Sequence, residues 1–148
     1  DKIRSRVPKV SLSTDLIVGF CGESEDQFNN TLKLVKDIKF DKIHSAAYST
    51  REGTIASRTM KDDVPEEIKK KRLKLINDAQ ECIATKLNGR FKGEIHEVLV
   101  EGKKDERWFG RNRNDKLVFF EDEETDMGDM VSVKIDETSP WFLRGSLV

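Results

Sequence analysis

Residues 10–20 alternate polar and apolar side chains and then become continuously apolar at Leu16-Ile17-Val18. This is the pattern of a strand that a parallel sheet buries on both faces. Cys21-Gly22 breaks the run. Ser24 and Gln27 then have the spacing of a capping box, and Phe28, Leu32, Val35 and Ile38 recur at helical intervals up to Lys39. Residues 43–48 predict a second strand. The order strand, helix, strand demands a crossover connection, so the two strands are expected to be parallel. A polar loop, residues 49–54, follows at the strand end where α/β folds place ligand sites. Asp63 with Glu66 around Pro65 gives another capping signal. Ile68, Leu75, Ile76, Ala79, Ile83 and Leu87 then mark one face of a long helix ending at Asn88-Gly89.

After Gly89 the period shortens to two. Strand-like runs cover residues 94–101, 107–111, 116–121, 130–136 and 143–148. Turn signals separate them at Glu101-Gly102, at residues 112–115, at Met127-Gly128-Asp129 and at Ser139-Pro140. Five or so short strands in so few residues predict a small closed barrel. The expected fold class is therefore α/β followed by all-β, with domains at residues 1–88 and 89–148.

Composition narrows the class. The 148 residues allow one ordinary domain or two small ones. Hydrophobic residues make up 36% and charged residues 37%, with eight Phe and two Trp, enough for a core and too charged for a membrane protein. No apolar run approaches the ~20 residues of a spanning helix. The start, Asp1-Lys2-Ile3-Arg4, is neither a signal peptide nor an initiating Met, as expected of a piece of a longer chain. Only Cys21 and Cys82 occur, far apart, giving no disulfide framework and no recognisable metal pair, so a reducing cytoplasm is the expected home. Net charge is −1, with 17 basic and 14 acidic residues up to Asn88, then 10 and 14. Nucleic-acid binding by the second part would have to come from a local patch.

Several residues have the chemistry for a site. Gly19 and Gly22 flank a strand end, where the missing Cβ lets a flat ring approach the backbone and the following helix N-terminus favours anions; the same junction also serves as a plain turn. Asp15 could accept hydrogen bonds from a ligand or from a neighbouring backbone group. Arg51 in the strand-end loop either faces a ligand or is solvated. Arg111, Arg113 and Lys116 bracket a turn beside Trp108, Phe109 and Phe119. That combination suits RNA, phosphates taking the charge and bases stacking, or else a core with solubilising cations. The acidic run 121–126 reads as a solvated loop that repels RNA, so binding is expected on the opposite side. His44 and His96 are assigned to packing or surface positions.

The motifs Thr14-Asp15-x-Ile17-Val18-Gly19-Phe20-x-Gly22-Glu23, Tyr48-Ser49-x-Arg51-x-Gly53-Thr54-x-Ala56 and Asp63-Val64-Pro65-Glu66-Glu67-x-Lys69-x-x-Arg72-Leu73 resemble the late barrel strands of radical S-adenosylmethionine tRNA methylthiotransferases. Val98-Leu99-Val100-Glu101-Gly102, the stretch 110–120 and Leu143-Arg144-Gly145 resemble the TRAM domain appended to that family. The resemblance runs in order along nearly the whole chain. It implies the last βα units of a radical-SAM barrel followed by a small OB-like β-barrel that binds RNA. It also implies a cytosolic enzyme that adds a methylthio group to isopentenyl-adenosine beside the tRNA anticodon, using S-adenosylmethionine and two 4Fe-4S clusters. By the same resemblance Asp15, Ile17, Gly19 and Arg51 contact S-adenosylmethionine, and Arg111, Arg113, Lys116 and Arg144 contact RNA. The implied partners are the anticodon stem-loop and the N-terminal part of the same enzyme, where both cysteine sets lie. Cys21 departs from the family, which usually has Pro there, and is expected to be a buried, inert thiol.

Two rivals are a ribosomal-protein methylthiotransferase of the same superfamily and a non-catalytic RNA-binding module. Arg51 and the 110–120 stretch look more like the tRNA branch, and a bare RNA module leaves the βα units unexplained. With two distant thiols, the 148-residue chain is expected to take up no iron–sulfur cluster on anaerobic reconstitution. Stoichiometric iron and sulfide in a monomeric sample would contradict this.

Overall fold

Ser24 caps its helix as its spacing predicts: its hydroxyl accepts from the Gln27 N–H, and the Gln27 side chain accepts from the Ser24 N–H at 2.9 Å. A computed structural model describes residues 2–148. In chain order its elements are α1 (Lys2–Arg6), β1 (Ser13–Val18), α2 (Glu25–Ile38), β2 (Lys42–Ala47), α3 (Ile55–Thr59), α4 (Glu66–Gly89), β3 (Ile95–Lys104), β4 (Arg107–Asn112), β5 (Leu117–Phe120), β6 (Met130–Thr138) and β7 (Leu143–Leu147). Two compact units result. One is Leu12–Ile83; the other joins the described residues up to Ser11 with Ala84–Val148.

In the first unit β1 and β2 pair in parallel, from Ser13 opposite Lys42 to Val18 opposite Ala47. Phe28 and Val35 of α2 and Ile76 of α4 pack with Val18 into a core, joined by Leu16, Leu32, Ile43 and Leu73. Burial on both faces of β1 is not what the structure has. Its side chains alternate between exposed and covered, with Ile17 57% exposed. The helices of this unit cover only one side of the two-stranded sheet.

Two further expectations need correction. Asp63 is not the cap of α4: its carboxylate accepts the Gly22 N–H at 2.7 Å. The Pro65 carbonyl receives the first helical bonds instead, from the N–H groups of Ile68 and Lys69. Leu75, placed on the apolar face by periodicity, is exposed.

The second unit is a closed barrel of five strands in the order β3-β4-β5-β7-β6, with β5 and β7 parallel and the other pairs antiparallel. Val98, Val100, Val118, Phe120, Val133, Ile135 and Leu143 point inward and pack with Phe91. Glu101-Gly102 is not a turn. The register shifts there, a β-bulge, and β3 continues to Lys104. The hairpin turns at Asp105-Glu106, both at positive φ, the conformation that two-residue hairpins require. Glycine at 102 serves a close approach instead: a Cβ there would lie 3.1 Å from the Phe109 ring.

Closure sets a harder constraint inside. A Cβ on Gly110 would stand 2.0 Å from the Leu99 carbonyl oxygen, and one on Gly145 would stand 2.0 Å from that of Lys134. Backbone cannot yield there as a side chain could. Gly110→Ala is therefore expected to cost about 3 kcal/mol or more, read as a fall in the urea midpoint of the barrel transition.

Candidate functional site

In the first unit the chemistry collects at the ends of β1 and β2. Val18 ends the strand, and Gly19 then turns with φ 72°. The Gly19 N–H donates to Glu23 Oε2 at 2.6 Å. The same carboxylate oxygen accepts Arg72 Nη1 at 2.7 Å, and Arg72 also reaches the Glu23 carbonyl at 3.0 Å and Glu25 Oε2 at 3.0 Å. Arg72 is buried, and its guanidinium lies 5.3 Å above the Phe28 ring. One helical turn earlier on α4, Lys69 places Nζ 2.6 Å from both Asp62 oxygens and 5.3 Å from the centre of the Tyr48 ring. Two α4 cations thus hold three loops: Arg72 the β1–α2 turn, and Lys69 both the segment before α4 and the residue after β2.

Tyr48 has Phe20 edge-on at 4.9 Å. Its phenol titrates above the ordinary range, chiefly through a hydrogen bond with the Cys21 sulfur, with burial adding to the shift. Cys21 is half-buried, not buried as expected, and Cys82 is exposed on α4. Among the described residues no group of three His, Cys, Asp or Glu side chains could hold a metal, and the two thiols lie in separate elements. These residues do not fit an iron–sulfur cluster.

Asp15 and Ile17 share the uncovered face of the sheet, opposite His44 and Ala46 of β2. Gly19 does not join that face. Its would-be Cβ meets the Lys69 side chain at 2.4 Å, and its φ is one that L side chains rarely adopt. Glycine at 19 is explained by the chain's own packing, so a Gly19→Val variant would disturb the fold before it reported on any ligand. Arg51 is exposed in the loop after β2, and its carbonyl accepts the Thr54 hydroxyl at 2.8 Å where Thr54 caps α3.

In the barrel unit, Arg111, Arg113 and Lys116 surround the β4–β5 turn, while Arg144 lies one strand over on β7, opposite Phe119. Each arginine already has a carboxylate. Arg111 meets Glu101 at 3.3 Å and Asp115 at 3.1 Å, Arg113 meets Glu97 at 3.0 Å, and Arg144 meets Glu137 at 3.8 Å. Phe119 contacts Phe109 and Phe142 on the outer surface, with centroids 6.2 and 5.6 Å apart, and Arg144 sits 5.0 Å over Phe142. Trp108 instead packs against the core and donates its indole N–H to the Asp122 carbonyl.

The acidic run 121–126 is more than a solvated loop. Asp122 accepts from the Thr125 hydroxyl, chiefly by which its carboxyl is held below the usual range, and Thr125 is buried. His96 pairs with Glu94 at 3.1 Å and packs edge-on to Phe91, and His44 is exposed.

Lys69 and Arg72 escaped sequence reasoning as site residues. Their signal is two cations three residues apart that interrupt the apolar face between Ile68 and Ile76. The contact of the N-terminal segment with the β4–β5 turn also escaped it. There the Asn114 side chain donates to the Lys9 carbonyl at 2.8 Å, 105 residues away.

A five-stranded barrel carrying cations and aromatics on its outside defines a small all-β module. Residues 89–148 match the family described as the TRAM domain. Over its whole length the chain is 49% identical to a tRNA-2-methylthio-N(6)-dimethylallyladenosine synthase from Dehalococcoides mccartyi (strain CBDB1), covering 35% of that protein. It is 45% identical to the synthase of the same name from Chloroflexus aurantiacus, over 97% of the chain and 32% of the relative, and 43% identical to that of Geobacillus kaustophilus, over 99% and 28%. The chain spans about a third of the length of the curated relatives it matches. Among the described residues no helix is long and apolar enough to cross a membrane.

The Glu23 side chain is only 12% exposed and Arg72 only 6%. Removing the cation leaves a buried carboxylate without its partner, which typically costs about 3–5 kcal/mol. Arg72→Met is therefore expected to lower the stability of the first unit by that order, measured by chemical denaturation. A change within about 0.5 kcal/mol would show that the network is not what holds the turn.

Proposed function

We propose that this chain is part of a radical S-adenosylmethionine tRNA methylthiotransferase, contributing the last βα units of the catalytic barrel and an RNA-binding TRAM barrel. The observation that carries the reading is the end-to-end similarity of all 148 residues to synthases that share one name. The TRAM match begins at Gly89, at the end of α4, while the compact units divide at Ile83 and Ala84, with the described residues up to Ser11 on the barrel's side. The parallel βαβ unit supports the barrel assignment, because parallel strands are stable with both faces covered and one face here is open. In this reading the N-terminal part of the same enzyme closes over that face and brings the cysteines that hold both 4Fe-4S clusters. Bound S-adenosylmethionine supplies the radical chemistry and the methyl group. Ile17 offers apolar surface to its adenine, Asp15 accepts hydrogen bonds from it, and Arg51 faces the cofactor or substrate from the neighbouring strand end. The relatives from Dehalococcoides mccartyi, Chloroflexus aurantiacus and Geobacillus kaustophilus carry a name that specifies tRNA, which favours this reading over the ribosomal-protein rival.

In the barrel, Arg111, Arg113, Lys116 and Arg144 take phosphates of the anticodon stem-loop while the outer phenylalanines offer stacking surface. Their ion pairs do not oppose this. Exposed pairs are worth about 0–1 kcal/mol, so exchanging a carboxylate for a phosphate costs little.

Two measurements test the proposal. The full-length parent should methylthiolate isopentenyl-modified tRNA and leave ribosomal protein untouched, and the reverse outcome would sink the tRNA assignment. In the 148-residue chain, replacing Arg111, Arg113 and Lys116 with Ala should weaken RNA binding and flatten its salt dependence by up to ~2 in slope, at about 0.7 per single-strand contact. A folded triple variant with the parent's affinity and slope would reduce these residues to solubilising charges.

A further inference from the structure

The β4–β5 turn does not stand alone. Asn112 is buried, and its side-chain oxygen accepts the N–H groups of Asn114 and Lys116, each at 3.0 Å, which fixes the turn. The Asn114 side chain then reaches across to the N-terminal segment, donating to the Lys9 carbonyl at 2.8 Å and to Ser11 Oγ at 3.3 Å. Lys9 holds a positive φ of 64°, a conformation that non-glycine residues rarely adopt without support. The segment so anchored carries Lys2, Arg4, Arg6 and Lys9, and no acidic residue lies between Lys2 and Asp15. Across the contact stand Lys116 and Arg113, the latter paired with Glu97 at 3.0 Å, while the nearby Asp115 is engaged by Arg111. The acidic residues 121–126 begin at the other end of β5.

We propose that the RNA surface of the barrel unit is composite: residues 2–9 and the β4–β5 turn, coupled through Asn114, form one basic patch that grips the sugar–phosphate backbone of its RNA. The proposal rests on the RNA-binding reading of the barrel and deepens it. A chain of net charge −1 attracts no polyanion as a whole. Local density of cations decides, because each phosphate neutralised releases counterions and adds to the affinity. Neither segment is dense enough by itself: of the turn's three cations Arg111 is paired with Glu101 and Asp115 and Arg113 with Glu97, and α1 is a single short helix. Joined, they bring the cations of both segments into one region of the surface, and the Asn114 bonds to Lys9 and Ser11 fix the two segments to each other before RNA arrives, which lowers the ordering cost of binding.

The test uses the 148-residue chain and a labelled, unmodified RNA hairpin titrated at several salt concentrations. Arg6→Gln with Lys9→Gln should weaken binding and lower the salt slope by roughly 1.4, two contacts at about 0.7 each. Arg113→Gln with Lys116→Gln should do the same. Lys103→Gln with Arg107→Gln, on the β3–β4 hairpin, should leave both unchanged. Arg6→Lys with Lys9→Arg keeps the charge and should keep the slope, which separates electrostatics from any loss of fold. Asn114→Ala removes no charge, yet should weaken binding about fivefold through the lost tether.

If the turn variant loses affinity while the Arg6/Lys9 variant matches the parent, the composite surface is wrong and the RNA reading stands. If the parent chain binds no RNA at any salt concentration, the RNA reading falls and this inference with it. If polyglutamate competes as well as RNA at equal charge, the patch is a site for acidic protein and the RNA assignment is overturned.

Discussion

The Arg72 guanidinium is the point from which the first unit is organised. Gly19 ends β1 with an N–H that no strand partner can take, because the chain is already turning, and Glu23 accepts it. That carboxylate is almost withdrawn from water, so it needs a cation at bonding distance, and Arg72, arriving from α4, supplies it. Burying two charges costs several kcal/mol in desolvation, repaid only where geometry and further hydrogen bonds are good. Here Arg72 makes four contacts to the loop: two with Glu23, one with Glu25 and one over the Phe28 ring. The arrangement is specific more than it is stabilising. It allows one path from β1 into α2 and one rotation of α4 against them, and Lys69 repeats the device for Asp62 and Tyr48.

The barrel solves the opposite problem. Its central cluster is apolar, with Asn112 buried at the end of β4, and the constraint is space: Gly110 and Gly145 let neighbouring backbones approach to where any side chain would collide. Val98, Val118, Val133, Ile135 and Leu143 fill the interior with apolar side chains. Whatever this unit binds must meet its outer face or its turns. There polar side chains such as Asn112 and Asn114 do the work of spacing, and cations and aromatics lie open to a partner.

Much of this was legible in the chain. The capping box at Ser24 and Gln27, the apolar spacing of α2 and the five strand-like runs depend on neighbours a few residues apart, and these the pattern records. What failed depends on distant partners. Asp63 has the residue type and spacing of a helix cap, yet a backbone N–H 41 residues earlier claims its carboxylate. Glu101-Gly102 reads as a turn because glycine also marks bulges and close approaches, and it is the Phe109 ring that decides which. The apolar run in β1 signals two covered faces where one is open. Ile17 and Asp15 could be nominated from the resemblance, but Lys69 and Arg72 could not be recognised as the groups that shape the loop, since their partners come from three other segments.

The open face and the paired arginines both fit the proposal that a chain of net charge −1 with an incomplete sheet is part of an RNA-modifying enzyme. In the proposed reading the two units divide the labour. The sheet offers Asp15 and Ile17 to a cofactor pocket that further chain completes, and the barrel offers charge. The pairing of Arg111, Arg113 and Arg144 with Glu101, Glu97 and Glu137 then works as restraint. A bare cluster of cations would hold any polyanion, whereas a cation engaged by an exposed carboxylate gains less from each phosphate, by the small worth of the pair it gives up. Each exchange costs less than about 1 kcal/mol, so an RNA that meets only one or two of these arginines gains little net affinity, while one that places a phosphate at each adds the net gains together. A basic corner at the N-terminal segment and an acidic loop at the far end of β5 would also orient the approaching strand, since like charge across an interface suppresses the wrong register more than it weakens the right one.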